Sequence, residues 1–106
     1  VATAKKVNWS LNAMLMLGEL YDYLEEQMGD VKAQAYLDEL MDFGNALDLK
    51  STHHSFCRHK TLQENEFRCA RFKNRYFIIY KTDAVSVDIL AVLHVRRGPE
   101  AFEALV

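Results

Sequence analysis

The hydrophobic period of the chain changes once, near residue 50, and this divides it into a helical half and a strand-forming half. From Leu11 to Met28 the apolar positions Met14, Leu17, Leu20 or Tyr21, Leu24 and Met28 recur every three or four residues, with Glu19, Asp22, Glu25 and Glu26 largely opposite. At about 3.6 residues per turn, that spacing lines them along one face of an α-helix. Ser10 is its predicted N-cap. A second stripe of Ala33, Tyr36 or Leu37, Leu40, Phe43 or Gly44, and Leu47 predicts a helix over residues 31–47. Only Gly29-Asp30 separates the two, with glycine ending one helix and Asp30 expected to cap the next. So short a joint makes the pair an antiparallel hairpin.

Beyond Lys50 the pattern is that of strands. Residues 66–73 (EFRCARFK) alternate, Asn74-Arg75 is the expected turn, and residues 76–81 (YFIIYK) are rich in aromatic and β-branched side chains. Thr82–Ala84 turns the chain into residues 85–97 (VSVDILAVLHVRR), the longest predicted strand. Its run Ile89–Val95 is apolar except for His94, so this strand is expected inside the sheet with both faces covered. Residues 4–9 read as a short first strand. Gly98-Pro99 is the expected stop, and Pro99 opens a short terminal helix. The order β-α-α-β-β-β-α predicts an α+β fold, with the helix hairpin packed on a mainly antiparallel twisted sheet in one domain spanning 1–106.

No apolar run reaches the roughly 18–20 residues that span a bilayer, so no membrane partner is expected. Two cysteines are too few for a disulfide framework. Cys57 and Cys69 are therefore expected as reduced thiols of a cytoplasmic protein, with a cross-strand disulfide as the alternative. His53, His54, Cys57, His59 and Cys69 are all competent zinc ligands, but their spacing matches no standard zinc signature. They are read as incidental loop residues, and no metal or cofactor is expected.

The net charge of −2 conceals a separation of charge. Residues 1–49 carry three Lys and nine Asp or Glu, a net −6, whereas residues 50–97 carry ten Lys or Arg and four acids, a net +6. If each half forms its own layer, the protein presents two faces of opposite potential, and the basic one fits an anionic partner. Arg68, Arg71, Arg75 and Arg96 are the candidate contacts; the alternative is that they are solvated surface or partners of the helices' carboxylates. A whole-surface nucleic-acid binder would be basic overall, which this chain is not.

The acidic hairpin YDYLEEQMGDVKAQAYLDEL, the stretch FRCARFKNRYFIIYK and the ending ILAVLHVRRGPEAF, in that order, resemble the RelE/ParE superfamily of type II toxins over residues 4–105. Arg71 with Tyr76–Tyr80 resembles the family's hairpin, and His94-Val95-Arg96-Arg97 the end of its last strand. The helix hairpin, with its glycine turn, looks more like ParE than RelE. The resemblance implies a toxin of a plasmid-stabilisation module, with one sheet face concave and a cognate antitoxin as partner, in a homodimer or a toxin–antitoxin hetero-oligomer. ParE-like members poison DNA gyrase; RelE-like members cut messenger RNA on the ribosome.

RNA-cutting members need cations around the scissile phosphate and a group that moves protons. Carried over by resemblance, Arg68, Arg71 and Arg96 would be the cations and His94 the acid or base of that reading. A hairpin position that is basic in RNA-cutting members is Phe77 here, and their terminal Tyr falls on Phe102. For the gyrase-directed reading the target-binding set is Arg68, Arg71, Arg75 and Arg96. A member that has lost toxicity is the third reading.

Overall fold

The computed structural model describes residues 4–97 and 99–105. Strand β1 (Lys6–Trp9) leads into helices α1 (Leu11–Met28) and α2 (Asp30–Asn45), followed by two short helices, α3 (Leu47–Lys50) and α4 (Lys60–Glu64). Strands β2 (Arg68–Phe72), β3 (Tyr76–Thr82) and β4 (Ser86–His94) come next, then helix α5 (Pro99–Glu103). This is the predicted α+β order, with α3 and α4 added.

Ser10 caps α1 as expected: it is extended, and its Oγ accepts the Ala13 amide at 3.0 Å. The same hydroxyl donates to the Leu90 carbonyl at 2.9 Å, which ties the start of α1 to β4. The buried stripe begins at Ala13 and continues through Leu17 and Leu24. Met14, predicted inside, is 47% exposed, because the stripe is turned one residue toward Ala13. At the joint, Gly29 has φ 83° and ψ 166°, a combination open in practice only to glycine. Asp30 is not the cap predicted for it. With Gly29 alone bridging the helices, Asp30 becomes the first residue of α2, and its carboxylate sits near the positive end of the helix dipole.

The sheet order is β1-β4-β3-β2, with β1 and β4 parallel and the other pairs antiparallel. Lys73 and Asn74, both at positive φ, make the β2–β3 turn, one residue earlier than predicted, and the Arg75 amide closes it on the Phe72 carbonyl at 2.9 Å. In the β3–β4 ladder Ile79 faces Ala91 and Tyr80 faces Ile89, so Leu90 is an extra residue. The bulge switches the alternation of β4: Val87, Ile89 and Val92 face the helices, while Ala91 and Leu93 face the other side. With a core on each face, the segment reads as an unbroken apolar run.

Two cores result. Between hairpin and sheet lie Leu17, Leu40, Leu47, Phe72, Ile78, Tyr80 and Ile89. On the opposite face Cys57, Leu62, Ile79, Ala91 and Leu93 are buried, with Phe77 and Phe102 packed against them. The face expected to be open and concave is thus partly roofed by the segment after α3 and by α5. β4 stops at His94, not at Arg97. Val95 and Arg96 form a turn, in which the Val95 amide bonds the Arg75 carbonyl at 2.9 Å and the Arg97 amide the His94 carbonyl at 3.0 Å. Gly98, the expected stop, lies outside the described residues. Among the described residues no helix is long and apolar enough to cross a membrane.

Two glycines test the hairpin packing. A Cβ on Gly44 would lie 2.5 Å from the Trp9 ring, which is held by its indole N–H donating to Asn45 Oδ1 at 2.9 Å. Gly44→Ala should lose about 1–3 kcal/mol to overpacking, outweighing the roughly 1 kcal/mol that alanine adds in a helix. Gly18 has nothing within 4 Å of such a Cβ, so Gly18→Ala should gain about 0.5–1 kcal/mol. Urea midpoints should move in opposite directions; a shift of the same sign in both would contradict the Trp9 contact.

Candidate functional site

After α3 the backbone runs from Ser51 to His59 without regular structure, across the edge of β2. A single bridge, Phe56 to Arg68, aligns it there, flanked by the Cys57 amide bonding the Phe67 carbonyl at 2.9 Å and the Cys69 amide bonding the Ser55 carbonyl at 3.3 Å. Arg68 reinforces the alignment. Its Nη1 donates to the His54 carbonyl at 2.6 Å and its guanidinium lies 4.2 Å from the centre of the Phe56 ring. The Tyr80 hydroxyl, fully buried, donates to the Ser51 carbonyl at 2.5 Å.

Cys57 and Cys69 are joined in a disulfide, their Cα atoms 4.9 Å apart. The expectation of reduced thiols is overturned in this structure, because the Phe56–Arg68 bridge lays the chain around Cys57 beside β2. With both sulfurs in the disulfide, neither is available as a thiolate ligand, and among the described residues no three His, Cys, Asp or Glu gather as a metal site.

The segment forms one wall of a pocket of about 710 Å³. His53, His54, Arg58 and His59 come from the segment, Arg71 from β2, Phe77 from β3, Val95 and Arg97 from the turn after β4, and Phe102 from α5. None of the described residues lining it is acidic. Among the described residues, Arg58, Arg71 and Arg97 have no carboxylate within ion-pair distance. The Arg71 guanidinium lies 5.1 Å from the Phe77 ring centre, and Phe77 meets Phe102 edge-on at 6.2 Å. His59 stacks on Phe102 at 5.8 Å; its Nε2 is 3.9 Å from Glu103 Oε1, and its buried Nδ1 has no hydrogen-bond partner. Burial, with help from the nearby charges of His53 and Lys50, lowers the pKa of His54, so this imidazole is neutral at neutral pH. Chemically the pocket is a cationic rim over an aromatic floor, suited to an anionic group carried on a flat or apolar body.

Of the arginines singled out in the sequence, Arg71 alone lines this pocket. Arg68 is occupied in holding the segment, and Arg75 is exposed in the β2–β3 turn. Arg96 is exposed outside the pocket and does not share a strand face with His94, since the strand has already ended. His94 packs edge-on against Tyr76 at 5.2 Å, and its Nδ1 accepts the Arg96 amide at 3.1 Å, which is the arrangement of a structural histidine. Arg58 and Arg97 were not among the candidates in the sequence, and the loop histidines, read there as incidental, line the pocket with them. The one available signal was the density of basic and imidazole side chains in residues 53–60.

A second concavity, about 660 Å³, lies between α1 and α2 and is lined by Met14, Leu15, Leu17, Gly18, Leu37 and Met41 among others. Leu11 and Leu15 beside it are 77% and 60% exposed.

No curated relative matches the chain. Among solved structures, the fold is similar to that of a chain of the chromosomal ParDE toxin–antitoxin system from P. aeruginosa. The TM-score is 0.72 at 14% identity, covering 88% of this chain and 98% of that one. The family model described as the ParE toxin of the type II toxin–antitoxin system parDE matches residues 7–99. On that match the chain belongs to the ParE toxin family of type II toxin–antitoxin systems.

Proposed function

We propose that this toxin, acting as one domain over residues 1–106 in the cytoplasm, inhibits DNA gyrase through the cationic pocket and is neutralised by a cognate antitoxin. The observation that carries the reading is the pair Phe77 and Phe102. Where RNA-cutting relatives are implied to carry a cation and a proton-bearing tyrosine, this chain has two rings packed in the pocket. Such a floor binds; it neither holds developing phosphate charge nor moves a proton. Arg58, Arg71 and Arg97, which have no carboxylate partner among the described residues, would supply charge complementarity to an acidic patch on the target.

The exposed groove between the helices suits the antitoxin. Leu11, Met14 and Leu15 form an apolar strip on which an amphipathic segment could lay its own apolar face. A toxin–antitoxin hetero-oligomer follows from that arrangement.

One observation favours a second reading. His53, His54 and His59 share the pocket with three arginines, and imidazoles can carry the protons of RNA cleavage. A single comparison separates the two: purified toxin added to gyrase supercoiling relaxed plasmid, and to programmed ribosomes with labelled messenger RNA. Gyrase should be inhibited, the adjacent gene's product should restore supercoiling, and the message should stay intact. Cleavage of the message with unaffected gyrase would establish the ribonuclease reading instead, and the loss of both activities the non-toxic one.

A further inference from the structure

We propose that the Cys57–Cys69 disulfide is a reducible latch on the pocket wall, opened by a dithiol that enters through the pocket. Opening it frees the segment from Ser51 to His59. The latch rests on geometry; its effect on the toxin's target rests on the proposed function above.

Access is the first requirement. A cystine enclosed in a core is inert because no thiolate can approach a sulfur in line. Here both cysteines line the 710 Å³ pocket. Cys57 is almost fully buried and Cys69 only partly, so Cys69 is the half of the cystine more open to an attacker. Electrostatics is the second. The nucleophile and the leaving group are both thiolates, and thiolates are stabilised beside arginines. Arg58, Arg71 and Arg97 line the same pocket as the cystine, and no carboxylate is among the described residues that line it.

The chemistry balances with a dithiol alone. Its thiolate attacks Sγ of Cys69, the sulfur–sulfur bond breaks, and Cys57 Sγ leaves as a thiolate that takes up a proton. The second thiol of the reductant then attacks the mixed disulfide, closes its own ring and releases Cys69. Two electrons and two protons pass from the dithiol to the cystine.

Mechanical effect is the third requirement. Between α3 and α4 the segment has no helix or strand, and Thr52, His53, Ser55, Phe56 and Arg58 are exposed. Once the cystine is cut, no covalent tie holds it to the sheet; what remains are the hydrogen bonds of Ser51, His54, Ser55 and Cys57 and ring contacts of Phe56, His54 and His59 with Arg68, Phe43 and Phe102. Isolated bonds of this kind open locally at low cost. The released wall carries His53, His54 and Arg58 away from Arg71 and Arg97, which stay on the sheet side, so the oxidised form is the preorganised binder.

Hydrogen exchange read by mass spectrometry tests this on the intact chain, before and after dithiothreitol, with thiol titration confirming complete reduction. Exchange across residues 52–58 should rise at least about tenfold on reduction while that of α1 and β4 stays unchanged. The Cys57→Ser, Cys69→Ser double variant should show the reduced profile with or without dithiothreitol; if it does not fold, the reduced wild type decides. The half-maximal concentration for gyrase inhibition should rise about tenfold in the reduced protein, and not respond to dithiothreitol in the variant. A cystine that resists dithiothreitol until the chain is unfolded, or identical exchange in both states, overturns the latch. Should neither form inhibit gyrase, the gyrase reading fails and the exchange data still decide the latch.

Discussion

Truncating Tyr80 to alanine should cost about 3–5 kcal/mol, enough to leave much of the protein unfolded in a domain whose total stability is about 5–15 kcal/mol. The ring is fully buried in β3, between Arg68 on one neighbouring strand and Ile89 on the other, and belongs to the core beneath the helix hairpin. The hydroxyl also holds the Ser51 carbonyl, so the loss combines a cavity with a buried acceptor left unpaired. Tyr80→Phe separates the two contributions: it keeps the ring and should cost about 1–3 kcal/mol.

The phenol adds a dependence on pH. Burial pushes its pKa up to about 12 from the ordinary 10.0, with Arg68 pulling it slightly the other way. A pKa higher in the folded than in the unfolded state means that folding favours the protonated phenol. That stabilisation is complete below pH 10 and disappears as pH rises through about 12. Denaturant melts of wild type and Tyr80→Phe should therefore converge over this range, the difference between them cancelling the contributions of the other tyrosines. Curves that stay parallel would show that the hydroxyl is solvated, and a loss below about 1 kcal/mol for the alanine variant would contradict the burial.

Reversing charge at Arg71 and Arg97 together should have the largest functional effect, on the order of a hundredfold loss in gyrase inhibition. Removing one partner of a desolvated charge pair costs about 2–5 kcal/mol, and reversal adds repulsion against the same acidic surface. Both residues are exposed and without carboxylate partners among the described residues, so the fold should change by at most about 1 kcal/mol, chiefly from the lost Arg71–Phe77 contact. Arg75→Glu and Arg96→Glu, outside the pocket, should lose much less. Equal losses from all four reversals would mean that the target contacts the whole basic face. Supercoiling assays with thermal melts as the folding control decide the matter.

The features legible from sequence were those with a local cause. The helix hairpin follows from two stripes and one glycine, and Ser10 caps α1 as its side chain dictates. The strands follow from alternation, and Ile89–Leu93 lies with a core on each face, although the bulge at Leu90 switches which side each residue takes. What escaped has no period of its own. The segment beside β2 contributes a single bridge, too little pattern to predict either its pairing or the disulfide that pairing allows. The end of β4 is set by the Arg75 carbonyl reaching Val95 across a turn, a tertiary event that alternation continues straight through. Arg58 and Arg97 lie far apart in the chain and meet in a pocket lined by parts of five separate segments, so counting charges found the basic half but not which of its arginines gather.

The parallel pairing of β1 with β4 also constrains the order of events during synthesis. Ser10 donates its hydroxyl proton to a carbonyl 80 positions further on, and Lys6–Trp9 finds its ladder partner only in Ser86–Ile89. A chain growing from its amino end must therefore hold β1 unpaired until Ser86–Ile89 has been made, and contacts so distant form slowly. β4, one of the two inner strands, is the last of the described strands to emerge from the ribosome. Until it does, neither the helix-side core nor the pocket can be complete, because both take residues from β4 or from the turn that follows it.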